Sequence, residues 1–283
     1  MTALATILIP AWNEATVIAR LLRQLAPAAG QFRVIVIANA CTDDTAAIAR
    51  AANPHAIVLE TPVAGKAKAM NLGYQSALPG LPVVCLDADL AVTVDDIRNL
   101  IAPLQDGRAL AACGRMLPDD SRSTWAVRAF YRAWALNPYF TQGKFGGLFA
   151  LSAEGADRLF PLPPVTADDE WVRRAFAAAD RAYVPDCRFH ARAPRDLATL
   201  IHLRRRALRG ARAVRAVLGQ TGAEGSVGAM LSKAALRPAL WLDMAVYVAV
   251  MAVVRVQLCT EPADRAARWE RDTGNRTAKV PVK

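Results

Sequence analysis

Four short apolar runs recur in the first 90 residues, at 4–10, 32–38, 56–59 and 83–86, separated by polar turn residues and stretches of helical periodicity. Runs of this length, rich in Val and Ile, read as buried strands. Strand alternating with helix argues for an α/β fold with a mostly parallel sheet and helices on both faces. Pro10 stops the first run, and Val17, Ile18, Leu21, Leu22 and Leu25 then carry helical spacing. After the second run, Asn39-Ala40-Cys41-Thr42-Asp43-Asp44-Thr45 leads into a helix reaching Ala52, with Thr42 as its expected cap and acids in its first turn. Gly65 to Asn71 opens the next helix.

The fourth run, Val83 to Leu86, ends in Asp87-Ala88-Asp89. On a strand, residues i and i+2 share a face, so the two carboxylates are expected to point the same way and share one divalent cation. Ligand sites of open α/β sheets lie beyond the carboxyl ends of the strands. The competing reading is a surface turn in which two acids alternate.

A chain of 283 residues, 54% of them apolar, suits one large domain or a domain with an appendage. The five cysteines (Cys41, Cys85, Cys113, Cys187, Cys259) are odd in number and scattered, which reads as free thiols in a reducing compartment. The first ten residues lack a basic segment and a long apolar run, so no secretion signal is expected and the bulk of the protein is placed in the cytosol. The formal charge of +10 is uneven: the last 83 residues hold 15 of the 35 Lys+Arg but 6 of the 25 Asp+Glu. A neutral body with a basic tail fits this better than a globally basic nucleic-acid binder.

The pieces Ile-Pro-Ala-Trp-Asn-Glu-Ala (9–15), Asn39 to Thr45, Gly-Lys-Ala-Lys-Ala-Met-Asn (65–71), Leu-Asp-Ala-Asp (86–89), Gly-Gly-Leu-Phe-Ala-Leu-Ser (146–152) and Ala-Asp-Asp-Glu-Trp-Val (167–172) stand in one order and spacing. In these the chain resembles a family-2 glycosyltransferase of the GT-A fold, over roughly its first 215 residues. The resemblance implies a nucleotide-diphosphate sugar donor, of UDP or GDP type, and a Mg²⁺ or Mn²⁺ ion to neutralise the leaving diphosphate. It implies Asp89 as the metal ligand, with Asp87 and Ala88 nearer the ribose or sugar. Pro10, Ala11, Trp12 and Glu14 would cradle the nucleotide, and Lys66 would lie near base or phosphate. Without the resemblance, Lys66 reads equally as a solvated lysine at a helix start. Where the family usually has an Asp-Asp pair after the second strand, this chain has Ala38 and Asn39; Asn39 can still hydrogen-bond a base edge or ribose but carries no charge. Gly65-Lys66 is not a P-loop, since no Ser or Thr follows the lysine.

Asp168-Asp169-Glu170 read by themselves as acids complementing a helix dipole after a Thr166 cap. By resemblance, Asp169 falls on the family's catalytic base, which takes the acceptor's hydroxyl proton in inverting members. His190, in a strand-like piece at 183–192, reads as a hydrogen-bonded structural histidine, while the resemblance offers it as a second metal ligand. Residues 122–136 mix Trp125, Phe130, Tyr131 and Trp134 with Arg128 and Arg132, which suits a helix at a membrane interface or one packed on its own domain. Residues 196–218 read as a helix crowded with arginines, a solvated basic face or a site for pyrophosphate or anionic headgroups. Within it, 204–210 resembles the Gln-x-x-Arg-Trp region of membrane-linked members but lacks its Gln and Trp, so processive synthesis is not implied. Residues 219–228 read as a linker, and 238–254 as an apolar helix, membrane-embedded or interfacial or else a buried packing or dimer helix, whose Asp243 lies toward one end where water is near.

The organisation expected is therefore a GT-A domain over 1–218, with a donor half (1–115) and an acceptor half (116–218). A C-terminal extension follows over 219–283, made of linker, apolar helix 238–256 and charged tail. Its acceptor would be a lipid-linked or small hydroxyl compound, with the basic and apolar C-terminal segment on the cytoplasmic face of an anionic membrane and no nucleic acid bound. A nucleotidyltransferase also uses alternating acids on an α/β sheet, but 10–16 lack its Gly-rich basic loop. A silent scaffold or nucleic-acid-binding protein is disfavoured by acids at 87, 89 and 169.

Overall fold

The computed structural model describes residues 3–140, 145–165, 167–219, 227–235 and 237–261. In chain order its elements are β1 (Ala5–Ala11), α1 (Ile18–Leu25), β2 (Phe32–Asn39), α2 (Thr45–Ala52), β3 (Ile57–Thr61), α3 (Lys66–Tyr74), β4 (Val83–Leu86), α4 (Val94–Gln105), β5 (Ala111–Asp119), α5 (Trp125–Trp134), β6 (Leu148–Leu151), α6 (Ala153–Leu159), α7 (Asp168–Ala175), β7 (Arg181–Arg192), α8 (Leu197–Leu218), α9 (Val227–Ala235) and α10 (Trp241–Cys259). They pack as two units, Met1–Leu117 with Gly143–Ala191, and Pro118–Gln142 with Arg192–Lys283. This differs from the division at residue 218 that composition suggests.

The first unit is built on a seven-stranded sheet of order β3-β2-β1-β4-β6-β5-β7. β1 pairs in parallel with β2 and β4, and β2 with β3, while β6 runs antiparallel to β4 and β5. Both faces are covered, and side chains alternate between them. Ile7, Ile9 and Val36 pack with Leu21 and Leu22 of α1 and Leu100 of α4. Leu8, Ile35 and Ile37 pack with Met70 of α3, Phe149 and Val172. Continuous apolar runs are what such two-sided burial demands, at about 1.5–3 kcal/mol for each large side chain removed from water. The expected start of the second helix fails locally: α2 begins at Thr45, so Thr42 does not cap it and Asp43 and Asp44 precede its first turn. The Thr42 amide instead donates to Asn13 Oδ1 at 2.7 Å, and Asp43 Oδ1 accepts the Thr45 amide at 3.1 Å.

The second unit gathers α5, α8, α9 and α10. Phe130 and Trp134 of α5 are buried, and the Phe130 ring stacks on Tyr247 of α10 with centroids 5.0 Å apart. The aromatic side of α5 thus lines its own unit's interior, where an apolar stripe with helical spacing is most easily satisfied, and Trp125 is left half exposed. Asp243 is buried, not water-facing, and accepts bonds from Arg132 Nε and Nη2, both at 2.7 Å. The arginines of α8 are not simply a solvated face. Arg205 and Arg209 pair with Glu261 at 3.0 and 2.6 Å, and the Arg204 guanidinium lies 4.1 Å from the centre of the Trp134 ring. Thr166, most of the 219–228 linker and the tail from 262 lie outside the described residues.

Candidate active site

The parallel strands end at Ala11, Asn39 and Leu86, and the two segments that follow β1 and β2 are stitched together. Asn13 Oδ1 accepts from the Thr42 amide and its Nδ2 donates to Thr42 Oγ1 at 3.1 Å. The Glu14 amide donates to Thr45 Oγ1 at 2.7 Å, and the Cys41 thiol donates to the Ala11 carbonyl at 3.3 Å. Asn13 (φ +56°) and Ala40 (φ +48°) both take the left-handed conformation. Asn tolerates it, whereas in Ala it costs about 1–2 kcal/mol, strain of the kind folds keep at functional sites. Of the residues expected to cradle a nucleotide, Pro10 and Ala11 close β1, Trp12 is half-buried in the segment after it, and Glu14 is buried. Asn39 is buried too, and its Oδ1 has no hydrogen-bond partner among the described residues, an acceptor worth about 1–3 kcal/mol to whatever meets it.

The central charge cluster is one the sequence does not spell out. Lys66, first residue of α3, places Nζ 2.7 Å from Asp87 Oδ1 and 2.9 Å from Asp168 Oδ2. Burial by itself would lower the ammonium's pKa, but Asp168 and Asp87 outweigh it and hold the pKa above the ordinary lysine value. At Asp87 burial raises the pKa, opposed by Lys66 and reinforced by Asp168 and Asp89. Lys66 therefore lies between two carboxylates, on the parts of the chain that follow β4 and begin α7. Lys66→Met should leave two close acids with no cation between them. Breaking a buried pair costs about 3–5 kcal/mol, and because Asp87 keeps a third of its side chain in water we expect the lower end, about 3 kcal/mol, read from the urea midpoint.

β4 ends at Leu86, one residue before the acids, so Asp87 and Asp89 lie in a turn and the same-face rule for strands does not reach them. Asp87 turns to Lys66, Ala88 is buried, and the Asp89 side chain is exposed. The Asp89 carbonyl accepts from Arg20 Nη2 at 2.9 Å. The Asp87 amide donates to the Gly147 carbonyl at 2.8 Å. Gly147 has φ +75°, and a Cβ there would stand 3.2 Å from Asp87 Oδ2 and 3.0 Å from Leu90 Cδ1, so the close backbone approach to the acid needs glycine. His190 and Ala91 exchange two main-chain bonds of 2.8 and 3.0 Å, which brings the exposed histidine beside the turn after Asp89. Among the described residues no three His, Cys, Asp or Glu side chains form a ready metal cage.

The three acids of α7 have separate surroundings. Asp168 is buried against Lys66, Glu170 is buried between Arg173 and Arg174 at 2.7 and 2.5 Å, and Asp169 is the partly exposed one. Ala167, not a capping side chain, precedes the helix. For Glu170, burial pushes the pKa up, but the bonds from Arg173 and Arg174 outweigh it and leave the carboxyl below its ordinary value. A depressed carboxylate adds stability above its unfolded pKa of about 4.3, and loses it as pH falls through the lower folded value. Denaturation midpoints measured from pH 6 downward should therefore fall below about pH 4, and Glu170→Gln should flatten that part of the profile.

Arg20 and Asp168 are the site residues that sequence reasoning did not assign, whereas Asn13 and Gly147 lay in the stretches 9–15 and 146–152 it had quoted. Asp168 also stood inside a recognised motif, but nothing in the spacing of Asn13 or Asp168 says which partner 29 or more residues away each one meets.

Among solved structures, a mannosyltransferase from Pyrobaculum calidifontis in complex with GDP-Man and Mn²⁺ superposes with a TM-score of 0.59 and 23% identity, over 94% of this chain and 78% of that one. Glucosyl-3-phosphoglycerate synthase from Mycobacterium tuberculosis, in complex with Mn²⁺, UDP and glucosyl-3-phosphoglycerate, does so with a TM-score of 0.56 and 20% identity, over 77% and 81%. At these identities the likeness speaks for the fold, and the fold is GT-A. In sequence, the pattern of glycosyl transferase family 2 matches residues 6–156, more than half of the chain. The chain belongs to glycosyl transferase family 2 and is a glycosyltransferase, as its motifs imply. No curated protein matches it in sequence.

Proposed function

We propose that the enzyme moves a sugar from a UDP- or GDP-type donor to an acceptor hydroxyl, with inversion, on a lipid-linked or otherwise membrane-associated acceptor at the cytoplasmic face. The observation that carries this is the set of three acids in three settings: Asp89 exposed, Asp87 held by Lys66, and Asp169 partly exposed on α7. The residues after β1 and β2, with the buried acceptor Asn39 Oδ1, suit the nucleoside. The exposed Asp89 carboxylate, with His190 bridged beside it, would hold a hard cation such as Mg²⁺ or Mn²⁺. When bound, that ion supplies charge for the departing diphosphate. Lys66 fixes Asp87 beneath the donor, and Asp169 takes the proton from the acceptor. Both relatives above are complexed with Mn²⁺ and a nucleotide or nucleotide sugar, which supports the donor class. The test is nucleoside diphosphate release across a panel of nucleotide sugars with Mn²⁺ or Mg²⁺. Release from a UDP- or GDP-linked donor that stops in chelator is the expected result.

A further inference from the structure

We infer that the second unit docks on an anionic lipid bilayer with α10 lying in the membrane surface, its outer face embedded and its inner face on protein, and does not span. This deepens the membrane location proposed above and rests on that reading, not on the reaction. Apart from Asp243, Arg255 and Gln257, α10 is apolar around its circumference, and among the described residues its inner face is the one that finds apolar surroundings, with Met244, Tyr247, Val250, Met251 and Val254 buried. On the outer face Trp241, Leu242, Val248, Val253 and Val256 are 42–65% exposed, with Ala245, Ala249 and Ala252 exposed between them. That stripe recurs at helical spacing along about 23 Å. Among the described residues, nine of the ten large apolar side chains left exposed belong to this unit; the exception is Val63.

The bilayer, not a second copy, is the occupant that the charge favours. The second unit carries 20 Lys+Arg against 9 Asp+Glu, and the first carries 15 against 16, so the whole excess of +10 belongs to the sequence of the unit that bears this stripe. Pairing two such units face to face would set like charges together, whereas an anionic surface attracts them. Lys233, Arg237 and Arg255 are exposed around the stripe, and Trp241 combines an apolar ring with an Nε1 that donates to the Ala234 carbonyl, as suits the interfacial layer. Spanning is opposed by the inner face. Arg132 of α5 holds Asp243, and Arg205 of α8 bonds Gln257 at 3.3 Å, so crossing would drag two arginine-rich helices into hydrocarbon.

The test is co-sedimentation of the full chain with phosphatidylcholine vesicles and with vesicles containing phosphatidylglycerol. We expect binding to the anionic vesicles, release by high salt or alkaline carbonate, and at least tenfold weaker partitioning for Val248→Asp and Val256→Asp. Both sites are exposed, so folding is kept, and Val63→Asp on the first unit should bind as the unaltered protein does. An unaltered chain that binds no vesicle overturns the membrane location itself. Binding that resists salt and carbonate, equal binding by the aspartate variants, or a dimer that these variants dissociate overturns the in-plane docking alone. Nucleoside diphosphate release with a soluble acceptor, measured on the same samples, reports separately on the glycosyltransferase reading.

Discussion

Asp89→Asn is expected to remove metal-dependent turnover, by roughly 10²- to 10⁴-fold or more, while leaving the fold almost untouched. The Asp89 side chain is exposed, and surface changes of this kind usually move stability by no more than about 0.5 kcal/mol. The amide keeps the shape but not the charge that draws a hard cation, and the several kcal/mol such an ion contributes against developing negative charge convert to that loss at about 1.4 kcal/mol per tenfold. Calorimetric titration of Mn²⁺ into the variant should show lost affinity, and donor binding that depends on the ion should fall with it. Asp87→Asn two residues away should behave differently, because it also withdraws a partner from Lys66 and so lowers the urea midpoint. Unchanged Mn²⁺ affinity and turnover in Asp89→Asn would remove that residue from the metal site.

Asp169→Asn should separate chemistry from binding. Donor affinity is expected to stay near that of the unaltered enzyme, because the nucleotide is assigned to the ends of β1, β2 and β4. Transfer should drop by roughly 10²- to 10⁴-fold, the contribution of a positioned general base. Asparagine is tolerated at a helix start, so a merely structural role would leave both quantities unmoved. The neighbouring acids supply the contrast. Asp168→Asn should act on stability through Lys66, and Glu170→Gln through Arg173 and Arg174, since each is already bound to a cation.

Much of the fold was legible where burial is two-sided. β4 falls on the expected residues, Val83–Leu86, because a strand covered on both faces must be apolar at every position. The GT-A class was legible from six short motifs in order. What could not be read is pairing at long range. Lys66 meets Asp168, and Arg132 meets Asp243 across 111 residues, and neither spacing carries a periodic signal. The same gap explains the reading of Asp243 that failed: it looked like a charge with water near, until Arg132 of α5 was found to hold it. For α5 the sequence allowed an interfacial helix or one packed on its own domain, and the buried Phe130 and Trp134 agree with the second. Thr42 looked like a cap by residue type, but its polar groups are taken by Asn13.

The central assignment is transfer from a nucleotide-diphosphate sugar with Asp169 as base, and the most direct measurement is NMR of the reaction mixture with Mn²⁺ replaced by diamagnetic Mg²⁺. Phosphorus spectra report the leaving group, and the anomeric proton reports the configuration of the product. The result expected is nucleoside diphosphate formed together with a glycoside of inverted configuration, both lost in chelator. Nucleoside triphosphate formed from donor and pyrophosphate would instead mark a nucleotidyltransferase, and a glycoside that keeps the donor's configuration would contradict Asp169 as the base.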